Sequence, residues 1–278
     1  MFKNRNLVIA TKHKKESVIA PLLEAELSVN CFVPFDFDSD SLGTFTGEIE
    51  RKDDSVATAR KKCLMAMEQT NCDLGIANEG SFGSHPTIFF ANADDEILIF
   101  IDKKNNLEII ARELSLKTNF NATKVNSFIE LKEFAKKIAF PSHAIILKSE
   151  EKDSTNFVKG IQSWQLLEES YTTLFQNNGT IYAETDMRAL YNPTRLLVIE
   201  KATQKLIEKI KSLCPDCQTP GFGVTSVKSG LPCSLCGCAT KSTKSHVYNC
   251  HKCNFEMEKM YPYDKKTEDP TYCDYCNP

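Results

Sequence analysis

Along the first two thirds of the chain, short apolar blocks alternate with segments whose apolar residues recur at helical spacing. NLVIAT (6–11) reads as a strand, and Val18, Leu22, Leu23 and Leu27 share one face of a helix over 14–27. VNCFVPF (29–35) is a second strand, followed by an acidic, glycine-containing loop over 36–48. Val56, Ala59, Cys63, Ala66 and Met67 predict a helix over 54–70, and DLGIA (73–77) a third strand that breaks into a loop at Gly80 and Gly83. TIFFANADDEILIFIDKKNNLEIIARE (87–113) predicts a strand meander with turns at NADDE and DKKNN. Helices over 126–138, 160–175 and 194–212, strands at 143–148 and 180–184, and a polar loop around 149–158 complete the pattern. Strands interleaved with helices, plus a meander, define a mixed-sheet α/β domain over residues 1–212.

Residues 213–278 lose this periodicity. Four CxxC pairs, Cys214/Cys217, Cys233/Cys236, Cys250/Cys253 and Cys273/Cys276, stand in a segment with too little apolar content to fold without a staple. Two thiolates separated by two residues meet one tetrahedral zinc ion through a tight knuckle, so eight make two structural four-thiolate sites in a small zinc-ribbon domain. The spacing favours a nested arrangement, with Cys233, Cys236, Cys250 and Cys253 around one metal and the outer pairs around the other; sequential and crossed pairings remain open. Cys238, His246 and His251 are surplus to the ligand count. Seven lysines of the tail are balanced by seven acidic residues, and each four-thiolate zinc centre adds a formal charge of about −2. Such a tail suits a protein partner better than a nucleic acid.

The 278 residues carry a net charge of −3, which gives no global attraction to polyanions. No apolar run approaches the roughly 18 residues of a membrane span, and CxxC usage suits a reducing compartment, so a soluble cytoplasmic protein is expected. Glu79, at the expected end of a central strand and followed by glycines, occupies a place where α/β sheets build sites. The turn TKHKK (11–15) offers Thr11, Lys15 and a helix N-terminus to phosphate, and Asp53 and Asp54 open the second helix. Carboxylates that hold Mg2+ beside such cations are the chemistry of nucleotides.

TKHKK, DSVATARKKC (54–63) and GIANEG (75–80) resemble, in that order, motifs of the inosine/xanthosine triphosphatase superfamily of nucleotide pyrophosphatases. The resemblance implies that Thr11 and Lys15 contact phosphate and that Asp54 and Glu79 bind Mg2+ or position the attacking water, with Lys15 stabilising charge. A late basic segment would hold the nucleotide, a role that falls by position to Arg188 and Arg195. Over its whole length the chain resembles a bacterial domain family of unknown function marked by ANEGSFG, ETDMRA..NPTR and a CPxC…CDxCNP tail. ETDMRALYNPTR (184–195) also reads more simply, as an arginine–carboxylate lattice fixing a helix capped by Asn192 with Pro193 in its first turn. His85 and His143 are candidate bases or hydrogen-bonded structural residues. The alternatives to a nucleoside-triphosphate pyrophosphohydrolase are a zinc-ribbon scaffold for protein or nucleic acid, and a metal-dependent nuclease using Asp95, Asp102 and Lys104.

Overall fold

The computed structural model describes residues 1–38, 53–151, 153 and 155–278, and most of the acidic loop expected over 36–48 lies outside them. Two compact units follow in the chain, Met1–Ile207 and Glu208–Pro278.

The N-terminal unit is a mixed α/β domain. Its larger sheet has the order β2-β1-β3-β4-β5, formed by β1 (Asn6–Ala10), β2 (Asn30–Phe32), β3 (Leu74–Ser84), β4 (Asn92–Asp102) and β5 (Leu107–Ser115). β1 lies parallel to β2 and β3, while β3, β4 and β5 form an antiparallel meander. Helix α1 (Glu16–Leu27) follows β1. Helix α2 (Ser55–Gln69) starts where the Asp54 carboxylate accepts the Ala57 amide, and it packs Ala59, Cys63, Ala66 and Met67 against Ala77, Ile99 and Ile101. The contact is close at Gly75, where an added Cβ would stand 2.6 Å from Met67 Cγ.

β3 is longer than its sequence suggests. It runs through Asn78, Glu79, Gly80 and Gly83 and pairs with β4 from Leu74 opposite Asp102 to Ser84 opposite Asn92. Glu79 is therefore inside the central strand rather than at its end. Gly80 serves close packing, since a Cβ there would fall 2.6 Å from both Arg195 Nη2 and Glu96 Oε1. NADDE is not a turn either: it forms the first half of β4, and the connection is HPTIFFA (85–91). Partners remote in sequence make those acids compatible with a strand. Asp95 pairs with Arg112 at 2.6 Å, and Glu96 with Arg195 at 2.6 Å.

A second, wholly antiparallel sheet has the order β6-β9-β7-β8: β6 (Ala122–Val125), β7 (Ile145–Lys148), β8 (Phe157–Ile161) and β9 (Ile181–Thr185). Helices α3 (Phe128–Lys137) and α4 (Trp164–Asn178) supply Leu131, Phe134, Leu167 and Leu174 to its core. Ser127 and Ser163 cap them. The edge strands β6 and β8 are absent from the sequence reading because four or five residues of mixed polarity carry no usable period; pairing to β9 and β7 creates them. Helix α5 (Pro193–Lys211) opens with Asn192 Oδ1 accepting the Arg195 amide. Among the described residues, no helix is long and apolar enough to cross a membrane.

The C-terminal unit is built on three antiparallel strands, β10 (Gly223–Ser229), β11 (Thr243–Asn249) and β12 (Glu256–Met260), with β11 in the centre.

Candidate functional site

Alternation along β3 sends its side chains to opposite faces, and both faces are occupied by charge. On the α2 face, Glu79 forms a buried ion pair with Lys62 at 2.7 Å. On the other, Asn78 Nδ2 donates to Glu96 Oε2 at 2.8 Å, and Arg195 Nε donates to Glu96 Oε1 at 2.6 Å. Arg195 is fully buried, donates from Nη1 to the Met187 carbonyl at 2.7 Å and lies over the Phe82 ring. Farther along the same helix, Lys205 pairs with Glu113 of β5. The Lys15 ammonium donates to the Asn78 carbonyl at 3.0 Å. Burial, reinforced by Arg195, lowers its pKa to about 7, with Lys62 adding a smaller push in the same direction.

Asp94 lies beside this lattice. Its register places it between Phe82 and Ser115, on the same face as Glu96, and its side chain is fully buried. Burial, and then the charge of arginine-paired Glu96, push its pKa up to about 8.

The structure therefore brings Lys15, Glu79 and Arg195 into one electrostatic neighbourhood, together with Lys62, one of the basic residues that the sequence offers beside Asp53 and Asp54, and with Asn78, Asp94 and Glu96, which sequence reasoning did not single out. Thr11 is buried just after β1. Asp54 is engaged as the cap of α2. Arg188 chelates Asp186, which also accepts the Gly160 amide, and stacks on Tyr191 with its guanidinium 4.5 Å from the ring centre. Both late arginines thus take part in the carboxylate lattice that holds the start of α5. The only signal for the missed acids was their presence in a block otherwise destined for a strand.

The histidines have structural partners. His85 Nδ1 accepts the Thr87 and Ile88 amides, each at 3.2 Å, and shapes the β3–β4 connection. His143 Nε2 lies 2.8 Å from Thr194 Oγ1, and burial lowers its pKa. The proposed nuclease triad does not assemble. Asp95 and Asp102 sit seven residues apart on one strand, about 23 Å at the rise of an extended chain, and Asp102 is paired with Arg5 at 2.7 Å.

The C-terminal cysteines form two groups in which all ligand sulfurs lie within 4.8 Å of one another. The first is Cys214, Cys217, Cys250 and Cys253; the second is Cys233, Cys236, Cys273 and Cys276. This is the crossed pairing, and it overturns the nested one. The antiparallel sheet dictates it. Gly223 at the start of β10 lies opposite Asn249 at the end of β11, which gathers the first and third pairs; the second and fourth pairs follow the far ends of β10 and β12. Sulfur separations of 3.7 and 3.6 Å in the first group, and 3.9 and 3.6 Å in the second, match the roughly 3.8 Å edge of a tetrahedron with 2.3 Å Zn–S bonds. Local hydrogen bonds act unevenly on the ligands: the Thr219 hydroxyl, 3.1 Å from Cys217 Sγ, holds that thiol down at about 6, whereas hydrogen bonding to Cys236 pushes Cys276 up to about 12. Amides of Cys236 and Leu235 bring Cys233 down to about 7. The residues present fit two zinc ions.

Fold and site together define a mixed α/β protein with a C-terminal, ribbon-like module carrying two tetracysteine groups, each able to hold a metal ion. The chain belongs to the family described as Domain of unknown function (DUF6671), which matches residues 62–278, a span holding β3 and all eight paired cysteines. No curated protein matches the chain. The family description names no activity and gives no support to the inosine/xanthosine triphosphatase resemblance.

Proposed function

We propose that this is a two-zinc protein whose metals are structural, and that the module they fold is a docking element for a protein partner. The spacing of the eight sulfurs carries the reading: it is too wide for a disulfide, at about 2.05 Å, and right for a shared tetrahedral ion. With all four positions at each centre taken by thiolates, neither has an open site for catalysis. Metal analysis of the purified chain is expected to return about two zinc ions, from eight thiolates at four per site. A value near zero with free thiols, or a bound redox metal, would refute this.

A second reading concerns the N-terminal unit, and the burial of Lys15 favours it. Lys15, Lys62 and Arg195 lie against two carboxylates, Glu79 and Glu96, at the start of α1, and Lys15, with its pKa lowered to about 7, would take up a full positive charge beside a bound anion. The excess charge beside a helix N-terminus suits a phosphate-bearing ligand such as a nucleotide. Binding is the extent of this reading. Mg2+-dependent hydrolysis would need Glu79 to leave Lys62 and Asp54 to leave its cap. Titration with nucleoside triphosphates, with and without Mg2+, is expected to raise the melting temperature of the N-terminal unit, and Lys15→Met to weaken binding at least tenfold. No shift with any of them would remove the reading, whereas pyrophosphate release abolished by Glu79→Gln would extend it to catalysis.

A further inference from the structure

The two centres differ in what surrounds them, and we propose that they fill in a fixed order. The Cys214/Cys217/Cys250/Cys253 centre is the folding nucleus, and the Cys233/Cys236/Cys273/Cys276 centre depends on it and releases its metal first. The inference rests on the zinc reading above.

Closure entropy does not distinguish the two. The first centre joins pairs separated by 32 residues (250 − 217 − 1) and the second by 36 (273 − 236 − 1), and the cost grows only with the logarithm of loop length. Apolar burial does distinguish them. At the first centre, Phe222 stacks on Tyr248 at 5.7 Å and meets Phe255 at 5.9 Å between ring centres. These rings pack with buried Cys214 and Cys250 into one cluster. Each ring adjoins a strand: Phe222 precedes β10, Tyr248 lies in β11 and Phe255 precedes β12. Ligation and hydrophobic collapse therefore act at the same place and reinforce each other.

The second centre is different. Its two knuckles turn Leu235 and Tyr275 to solvent, 74% and 76% exposed, and Tyr272 beside them is 68% exposed. Cys233, Cys273 and Leu231 are buried here, and the segments are tied by main-chain bonds, Ser234 N–H to Glu268 O and Glu268 N–H to Pro232 O. Its ligand pairs follow the far ends of β10 and β12, which do not pair with each other and come together only through β11. The register of both pairings begins at Asn249, opposite Gly223 on one side and Glu256 on the other, directly beside the first centre. Metal at the first centre thus clamps the point where the three strands meet, and that alignment delivers the second set of ligands.

The test uses the full-length zinc-loaded chain, stepwise chelation and thiol alkylation read by mass spectrometry. Half of the zinc is expected to leave first, with Cys233, Cys236, Cys273 and Cys276 alkylated at least tenfold faster than the other four ligands; exposed Cys238 reacts at once and serves as the internal standard. The double variant C233S/C236S should keep one zinc and C214S/C217S none, while emission from Trp164, the only tryptophan, shows that the N-terminal unit stays folded in both. Concerted release, earlier labelling of the first centre, or one zinc retained by C214S/C217S would overturn the order while leaving the two-zinc assignment intact. Absence of zinc from the wild type would defeat that assignment itself.

Discussion

Arg195→Met is expected to destabilise the N-terminal unit by about 3–5 kcal/mol, because it leaves Glu96 buried and charged with no cation bonded to it. The side chains on both sides of this pair are fully buried, so water cannot replace the guanidinium. The same change frees the Met187 carbonyl and removes the cation above Phe82, which loosens the start of α5. Arg195→Lys should recover only part of the loss, since an ammonium cannot span Glu96 and the Met187 carbonyl with the geometry of a guanidinium. Arg195→Met combined with Glu96→Leu should recover most of it, since an apolar pair leaves no uncompensated charge. Urea unfolding followed by Trp164 emission measures all three. A loss below about 1 kcal/mol in the single variant would show that the pair is not the internal brace described here.

The contribution of Asp94 to the stability of the N-terminal unit is expected to fall as pH rises from about 4 to about 8, and Asp94→Asn to remove that part of the slope. Asp94 has a folded pKa of about 8 against an unfolded value of about 3.9. Within that window the folded state holds a proton that the unfolded chain has given up, so each step upward in pH favours unfolding. The full shift sets a ceiling of roughly 5–6 kcal/mol on the effect. The charged groups acting on Asp94 are Glu96 and Asp95, which raise its pKa, and Arg195, which opposes them. Asparagine keeps the shape and cannot ionise, so the advantage of the variant grows with pH and is greatest above 8. Equal slopes for wild type and variant would mean that Asp94 is ionised in the fold.

Much of the architecture was legible along the chain. The spans of α1, α2, α3, α4 and α5 fall within a few residues of their periodic apolar faces, and Asn192-Pro193 marks the start of α5. Misreadings cluster where polar residues lie inside strands. Asn78, Glu79 and Gly80 suggested a loop, and NADDE a turn, because an isolated strand cannot bury such groups. Their partners come from afar: Arg195 lies 99 residues from Glu96, and Lys62 comes from another element to meet Glu79.

What the sequence alone determined is the chemistry that depends on residue type and short spacing: eight thiolates in four knuckles, hence two four-ligand centres, and an α/β domain ahead of them. Knuckle geometry is closed within four residues, so nothing distant can alter it. Only the tertiary structure decided which knuckles come together, because that follows from the antiparallel order of β10, β11 and β12. It likewise decided that Glu79 of β3 and Asp102 of β4 are buried in ion pairs with Lys62 and Arg5. A carboxylate's environment is set by the strands and helices that pack around it, and those contacts leave no local trace in the order of residues.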